Sequence, residues 1–168
     1  MPSSDAPAHE IVPADEQTPE LLAQCLQMRV AVFIEEQKFS MDDEIDKYDT
    51  PGKSTHLLLR LVPSLEPIGT IRIVHLSATE KKIGRLCVLK DYRNFKFGKD
   101  LMLAAHDYLL SRQADRGSAE AGASLTVSLH SQIYVKGFYA KCGYEEVGQE
   151  FDEDGAPHQK MVRHLSAQ

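Results

Sequence analysis

The residue types best suited to binding a phosphate lie between residues 88 and 99. There the segment Val88-Leu-Lys-Asp-Tyr-Arg93-Asn-Phe-Lys-Phe-Gly98-Lys99 joins an apolar stretch to an amphipathic one. A strand that enters a helix through such a loop presents free N–H groups to an anion, and the helix dipole adds about half a positive charge. Arg93, Lys96 and Lys99 add full charges, and Gly98 allows close approach of the backbone. The segment predicts a diphosphate site, with an ordinary helix start as the alternative.

Two further observations narrow the chemistry of this segment. It lacks the lysine-serine/threonine pair and the metal-binding acid of a nucleotide hydrolase, which disfavours that class. Basic residues dominate positions 81–99, whereas acidic residues cluster over 35–49 and 145–154. A basic block between two acidic ones can serve an anionic cofactor and a cationic substrate in one site. The alternative is that each block is a solvated face.

The hydrophobic pattern predicts the elements that position these residues. Thr18-Pro19-Glu20 begins a helix that continues to about Gln37. Four strands are predicted over 55–62, 68–75, 83–89 and 125–129, two helices over 98–112 and 132–142, loops over 38–53 and 114–123, and a hairpin of strands 144–151 and 158–165 turning at Asp154-Gly155. This order predicts an α/β (α+β) fold, with a mixed, mostly antiparallel central sheet and helices on both faces.

Composition predicts a soluble chain with one main domain. Residues 1–10 are rich in Pro, Ala, Ser and Asp and are predicted to be a disordered tail, followed by a single domain over 11–168. The three cysteines form no close pair, which argues against a disulfide framework and a zinc site. The net charge of −6 weakens the case for nucleic acid, and no apolar stretch is long enough for a membrane helix. The expected location is the cytoplasm, with the nucleus as an alternative.

Two motifs resemble the GNAT acetyltransferase superfamily. Arg93-Asn-Phe-Lys-Phe-Gly98 is similar to its diphosphate loop, with Lys96 in place of the first glycine. Phe138-Tyr139-Ala-Lys-Cys-Gly143-Tyr144 is similar to its C-terminal tyrosine and glycine signature, and the likeness covers about residues 21–165. Arg29-Val-Ala-Val-Phe33-Ile-Glu-Glu36-Gln37 and Glu44-Ile-Asp46-Lys-Tyr-Asp49 further resemble an ElaA-like subgroup that acts on small molecules.

The resemblance implies an N-acetyltransferase that moves the acetyl group of acetyl-CoA directly onto a small amine, without a metal. It implies that Tyr139 protonates the departing thiolate, and that N–H groups at Cys87, Val88 or Leu89 bind the thioester oxygen. Gln132 takes the place of an asparagine that contacts the pantetheine arm. The residues implied to bind the coenzyme are Leu86, Cys87, Val88, Arg93, Asn94, Phe95, Lys96, Phe97, Gly98, Lys99 and Gln132.

Several alternatives remain open at the level of sequence. The base that deprotonates the amine is Glu36, His75 or His130. Four acids, Glu36, Glu44, Asp46 and Asp49, are candidates for holding a cationic acceptor, or else belong to a solvated loop. The rival functions are a GNAT domain that binds acyl-CoA without catalysis, suggested by Lys96 and Gln132, and an N-acetyltransferase that acts on proteins. The oligomeric state is open, with a homodimer as one alternative.

Overall fold

The computed structural model describes residues 5–116 and 123–166. The first four residues of the predicted tail and residues 117–122 of the predicted loop lie outside these ranges. The chain divides into two compact units: the first comprises Met1–Arg72 with Arg85–Ala104, and the second comprises Ile73–Gly84 with Ala105–Gln168.

The elements follow the predicted order, with one strand added at the start. The strands are β1 (His9–Ala14), β2 (Ser54–Leu61), β3 (Pro67–His75), β4 (Glu80–Val88), β5 (Leu125–Gln132), β6 (Glu145–Glu153) and β7 (Ala156–Leu165). The α-helices are α1 (Pro19–Arg29), α2 (Met41–Glu44), α3 (Phe97–Ala114) and α4 (Lys136–Lys141). A π-helical segment, Val30–Glu36, extends α1, and short 3-10 helices cover Lys47–Asp49, Lys90–Phe95 and Ile133–Val135.

The strands form a mixed sheet in the order β1-β2-β3-β4-β5-β7-β6. β1 is antiparallel to β2, and β7 is antiparallel to both β5 and β6. β4 and β5 pair in parallel, from Glu80 with Thr126 to Lys82 with Ser128, as expected for two strands with a helix between them. The prediction of a mixed, mostly antiparallel sheet is confirmed.

The start of the chain differs from the prediction. The sequence predicts a disordered tail over 1–10, but His9 and Glu10 belong to β1, which no pattern predicted. β1 pairs with β2 from His9 opposite Leu61 to Ala14 opposite His56. Ala14 packs in a buried cluster with Cys25 and Leu58. The strand is stabilised by this pairing with a segment more than 40 residues away, which local composition does not encode.

Burial along the strands follows their position in the sheet. β3 is buried from Ile68 to Val74, as expected for a central strand, whereas β6 at the end of the order is almost wholly exposed. β5 alternates strictly, so that Leu125, Val127 and Leu129 are buried while the residues between them are half-buried. Within the described ranges no helix is long and apolar enough to cross a membrane.

Candidate coenzyme and acyl-transfer site

The predicted diphosphate loop lies in the first unit, between β4 and α3. The 3-10 helix Lys90–Phe95 ends at Lys96, whose backbone is left-handed (φ 62°, ψ 27°), and α3 begins at the next residue. That conformation favours glycine, so Lys96 holds the backbone shape that a glycine would give at the same position. The first N–H groups of α3 have no acceptor within their own helix and point out of its N-terminus. The loop therefore has the backbone of an anion-binding turn.

The side chains of the loop divide into exposed charges and one core residue. Arg93, Asn94, Lys96 and Lys99 are exposed and Phe95 is half-buried. Phe97 is only 1% exposed and packs between His9 and Phe95 at ring distances of 4.7 and 5.7 Å. Its side chain anchors the start of α3, so only its backbone is placed to meet a coenzyme.

Arg93 and Glu36, both predicted site residues, contact each other. The Arg93 Nε–H donates to the carbonyl oxygen of Val88 at 2.9 Å. The two terminal nitrogens of the guanidinium donate to both carboxylate oxygens of Glu36, with Nη1 2.7 Å from one of them. The hydrogen bond from Arg93 holds the pKa of Glu36 below its usual range. A carboxylate with a lowered pKa is a weaker base, which counts against Glu36 as the group that deprotonates an amine.

The position of Glu36 depends on the π-helical segment. The N–H of Gln37 donates to the carbonyl of Val32 at 2.9 Å, five residues back, so the end of the helix is wider than an α-helix. Glu36 is the last residue of this widened segment and the one that contacts Arg93. The sequence predicts a helix here but gives no signal for the change of period.

The predicted backbone donors lie at the end of β4. Leu86 is half-buried and Cys87 and Val88 are buried. A Cβ at Gly69 would lie 2.8 Å from the Cys87 carbonyl oxygen, so glycine is required where β3 approaches this segment. Burial raises the pKa of the Cys87 thiol to about 12 and that of Cys25 to about 11. Neither thiol is ionised near neutral pH, so neither is suited to carry an acetyl group.

Three of the acids that the sequence predicts to bind a cation are paired with arginines in a largely buried network. The Arg29 side chain is fully buried and its five N–H groups meet Glu44, Asp49 and His56 at 2.6–3.0 Å. Arg72 binds Asp46 and Asp49, and Arg85 lies 3.3 Å from Glu44 and from Asp46.

Together with the Glu36–Arg93 pair, this network neutralises all four acids that the sequence offered to a cationic acceptor. This pairing counts against the expectation that they hold such an acceptor, because each carboxylate already has an arginine partner. The reason is in the fold: β2, β3 and β4 place His56, Arg72 and Arg85 against the loop that follows α1.

Tyr139, the predicted acid, lies on α4 in the second unit. Its side chain is half-buried, with the rings of Phe138 and Tyr144 at 5.0 and 6.4 Å. Burial, with smaller effects of Cys142 and Tyr134, raises the pKa of Tyr139 to about 12, so the phenol stays protonated at neutral pH. Among the described residues the hydroxyl makes no hydrogen bond, whereas that of Tyr144 lies 2.7 Å from His106 Nε2. The Tyr139 proton is thus not committed to a protein acceptor.

The remaining predicted residues of this unit lie on β3 and β5. His130 and Gln132 share the half-buried face of β5, because residues two apart point the same way. The Nδ1 atom of His130 lies 2.9 Å from Glu153 Oε1, a partner that the sequence analysis did not identify. His75 ends β3, outside this pairing.

A second chain of hydrogen-bonded side chains, which the sequence analysis did not identify, lies near the end of α4. Arg163 donates to the carbonyl of Cys142 at 2.7 Å and to His106 Nδ1 at 3.2 Å, and His106 Nε2 contacts the Tyr144 hydroxyl. Burial and the charge of Arg163 lower the pKa of His106 to about 4. A Cβ at Gly143 would lie 3.1 Å from Arg163 Nε, so the glycine of the Tyr139 signature makes room for this arginine. We interpret the chain as structural support for the end of α4.

A mixed seven-stranded sheet with a basic anion-binding turn at the start of its long helix is the arrangement of an acyltransferase that uses acyl-CoA donors. The chain belongs to the GNAT acetyltransferase family: the GNAT acetyltransferase domain matches residues 21–165.

Relatives of known sequence or structure match most of the chain. The uncharacterized protein YyaT of Bacillus subtilis is 35% identical over 86% of this chain and 90% of its own length. A crystal structure from Lactobacillus plantarum superposes with a TM-score of 0.79 and 31% identity, covering 94% of this chain and 99% of that one. Escherichia coli ElaA superposes with a TM-score of 0.74 and 28% identity, covering 92% and 99% respectively.

Proposed function

We propose that this protein is an acetyl-CoA-dependent N-acetyltransferase that transfers the acetyl group directly to a small amine. The observation that carries the proposal is the loop that ends at Lys96. Its left-handed backbone, the free N–H groups at the start of α3 and the charges of Lys96 and Lys99 suit the diphosphate of coenzyme A. Because the backbone of Lys96 is left-handed, a conformation that glycine adopts readily, the lysine at this position gives no support to a domain that has lost its coenzyme.

In the proposed reaction the acetyl group passes directly from the thioester to the amine, without an acetyl-enzyme. The amine nitrogen attacks the thioester carbonyl carbon, the carbon–sulfur bond breaks, and the net reaction moves one proton from the amine to the sulfur of coenzyme A. The raised pKa values of Cys25 and Cys87 support direct attack, since neither thiol forms the thiolate that an acetyl-enzyme would require.

We propose that Tyr139 stabilises the departing sulfur. A thiol has a pKa of about 8.5, well below the value of about 12 for Tyr139, so complete proton transfer from the phenol to a thiolate is uphill. Tyr139 therefore acts as a hydrogen-bond donor while charge develops on sulfur, and it keeps its own proton. Backbone N–H groups at Cys87 or Val88 are proposed to bind the thioester oxygen, since the Leu89 N–H already donates to the Ile68 carbonyl at 2.8 Å. Gln132 is proposed to contact the pantetheine arm.

Calorimetry with coenzyme A and acetyl-CoA tests the binding step, and thiol release with a panel of amines and N-terminal peptides tests transfer. We expect the wild-type protein to bind both coenzymes and to release thiol with small amines. Tyr139→Phe should lower turnover by about 100-fold with coenzyme affinity unchanged. Tyr134→Phe, which alters a tyrosine that is 80% exposed, is the matched control and should keep full turnover.

Each outcome of these measurements decides one part of the proposal. No heat of binding with either coenzyme would overturn the proposed function. Thiol release with peptides alone would move the acceptor from small amines to proteins. Equal turnover of Tyr139→Phe and Tyr134→Phe would remove Tyr139 from the mechanism and leave acetyl transfer in place.

A further inference from the structure

One cluster of titratable side chains in the second unit has the geometry of a proton acceptor. It contains His130 on β5, Glu153 at the end of β6 and His158 on β7. His130 Nδ1 lies 2.9 Å from Glu153 Oε1, and His158 Nε2 lies 3.7 Å from the other carboxylate oxygen. Among the described residues, no three His, Cys, Asp or Glu side chains are arranged to hold a metal ion.

The carboxylate fixes which nitrogen of His130 carries the proton. An ionised carboxylate only accepts hydrogen bonds, so Nδ1 is the protonated nitrogen of a neutral His130. The lone pair then lies on Nε2, which faces away from Glu153 across the ring. Phe151 packs its ring against His130 at 4.9 Å and an interplanar angle of 76°, which restrains the imidazole.

The hydrogen bond and the basic residues around the pair favour an ionised Glu153, and they outweigh the opposing effect of burial. The hydrogen bond from His130 lowers the pKa of Glu153, and the charges of His130, Lys82 and His158 contribute further. Lys160 is the residue opposite His130 in the pairing of β5 with β7. The Nδ1 atom of His158 is engaged with the carbonyl of Ala156 at 2.8 Å, so its Nε2 is the atom turned toward Glu153.

The position of His130 along β5 relates it to the proposed coenzyme contact. His130 and Gln132 lie on the same face, and residues two apart on a strand are separated by about 7 Å. If Gln132 contacts the pantetheine arm, His130 is the next side chain of that face. The competing base, Glu36, is held by Arg93 in the first unit.

We propose that Glu153 is a positioning residue for general-base catalysis by His130. Nε2 of His130 accepts the proton that the acceptor amine loses as its nitrogen bonds to the acetyl carbon and the carbon–sulfur bond breaks. Glu153 holds the imidazole in the tautomer that can accept this proton and stabilises the imidazolium that results. The inference rests on the proposed acetyl transfer, which supplies the amine and the thioester.

The test compares Glu153→Gln with Glu150→Gln by thiol release, at saturating acetyl-CoA and with the best amine of the panel, across the pH range. Both substitutions remove one carboxylate from β6, but Glu150 is exposed and Glu153 contacts His130. Loss of the neighbouring negative charge makes imidazolium less stable. We therefore expect the acid limb of kcat/KM to move to lower pH by about one unit in Glu153→Gln and to stay in place in Glu150→Gln. His130→Ala should lower kcat by about 100-fold or more.

A measurement on the wild-type protein needs neither substrate nor variant. Nitrogen-15 spectra of the neutral His130 imidazole should show a protonated Nδ1 and an unprotonated Nε2. The opposite tautomer, or an acid limb that moves equally in both glutamate variants, would overturn the role of Glu153. Failure of the wild-type protein to bind acetyl-CoA would instead overturn the proposed function, so the two failures are distinguishable.

Discussion

Lys96 occupies a backbone conformation that lysine seldom adopts, at the point where the loop meets α3. A left-handed non-glycine residue costs about 1 kcal/mol or more, and it persists only where the surrounding structure requires it. Here the requirement is a turn that ends a 3-10 helix and starts an 18-residue α-helix one residue later. The lysine retains the shape of the loop and adds a charge that glycine lacks.

Lys96→Gly and Lys96→Ala separate these two contributions. Both variants lose the charge, but only glycine relieves the backbone strain, so Lys96→Gly should be more stable than Lys96→Ala by about 1 kcal/mol in urea denaturation. Coenzyme affinity measured by calorimetry should fall in both through the lost charge, and less in Lys96→Gly. Equal stability of the two variants would show that the left-handed conformation carries no strain.

Contacts between polar residues that lie far apart in the sequence could not be predicted from it. The motif placed Arg93 and Lys96 in the loop and Tyr139 on a helix, since such signals are local. The pairs Glu36–Arg93 and His130–Glu153 join residues 57 and 23 positions apart, and their contact depends on strand order and register. Hydrophobic periodicity carries no information on which polar side chains meet.

At the scale of elements, the Arg29 network binds the segment after α1 to the sheet. Arg29 on α1 reaches Glu44 on α2, Asp49 on the following 3-10 helix and His56 on β2. The segment itself has little apolar surface to bury, with Met41 and Ile45 exposed. Its position therefore depends on charged hydrogen bonds rather than on packing.

Arg29→Met and Arg60→Met compare a buried and a partly exposed arginine of the same unit. Arg29→Met leaves Glu44 and Asp49 without their main partner, and we expect a loss of about 3–5 kcal/mol in the free energy of unfolding. Arg60 pairs with Glu10, which is 40% exposed, and its loss should cost about 1 kcal/mol or less. Chemical denaturation with both variants checks the difference, and a similar cost for the two would mean that burial adds nothing to the Arg29 network.

Element boundaries show why most of the fold was predictable and β1 was not. β2, β3, α3 and the β6–β7 hairpin have their own periodicity, caps or turn residues, and Asp154 and Gly155 adopt the positive φ angles of the predicted turn. β1 contains Pro13 and only a few apolar residues. It forms because β2 offers a free edge, which is a property of the sheet rather than of the segment.

For the whole molecule, family membership follows from local motifs in the right order, whereas the acceptor depends on contacts that no motif specifies. The acidic block over 35–49 suggested a cationic acceptor because sequence shows charges without their partners. In the fold, arginines from α1, β3 and β4 pair with Glu44, Asp46 and Asp49 of that block. The charge available to a substrate is therefore different from the charge of the sequence, and these paired acids give no support to a cationic acceptor.

Two buried neutral histidines, one in each unit, determine how the stability of the molecule depends on pH. Burial and Arg29 lower the pKa of His56 to about 3, and burial and Arg163 lower that of His106 to about 4, against an ordinary value of 6.5. Below pH 6.5 the unfolded chain binds a proton at each histidine while the folded protein does not. The free energy of unfolding should then fall with decreasing pH, by about 1.4 kcal/mol per unit for each histidine.

Acidic side chains extend this loss to lower pH. Burial raises the pKa of Asp46 and Asp49, but hydrogen bonds from Arg72 and Arg29 outweigh it, so both pKa values lie below the usual range. Their contribution to the free energy of unfolding is complete above about pH 4, and it is lost as the pH falls through their pKa values in the folded state. Urea denaturation from neutral pH to about pH 4.5 isolates the histidines from these carboxylates. His56→Gln and His106→Gln should each make the free energy of unfolding depend less steeply on pH. His164→Gln, which alters an exposed histidine, should leave this dependence unchanged. A wild-type profile that is flat over this range would contradict the neutral burial of both rings.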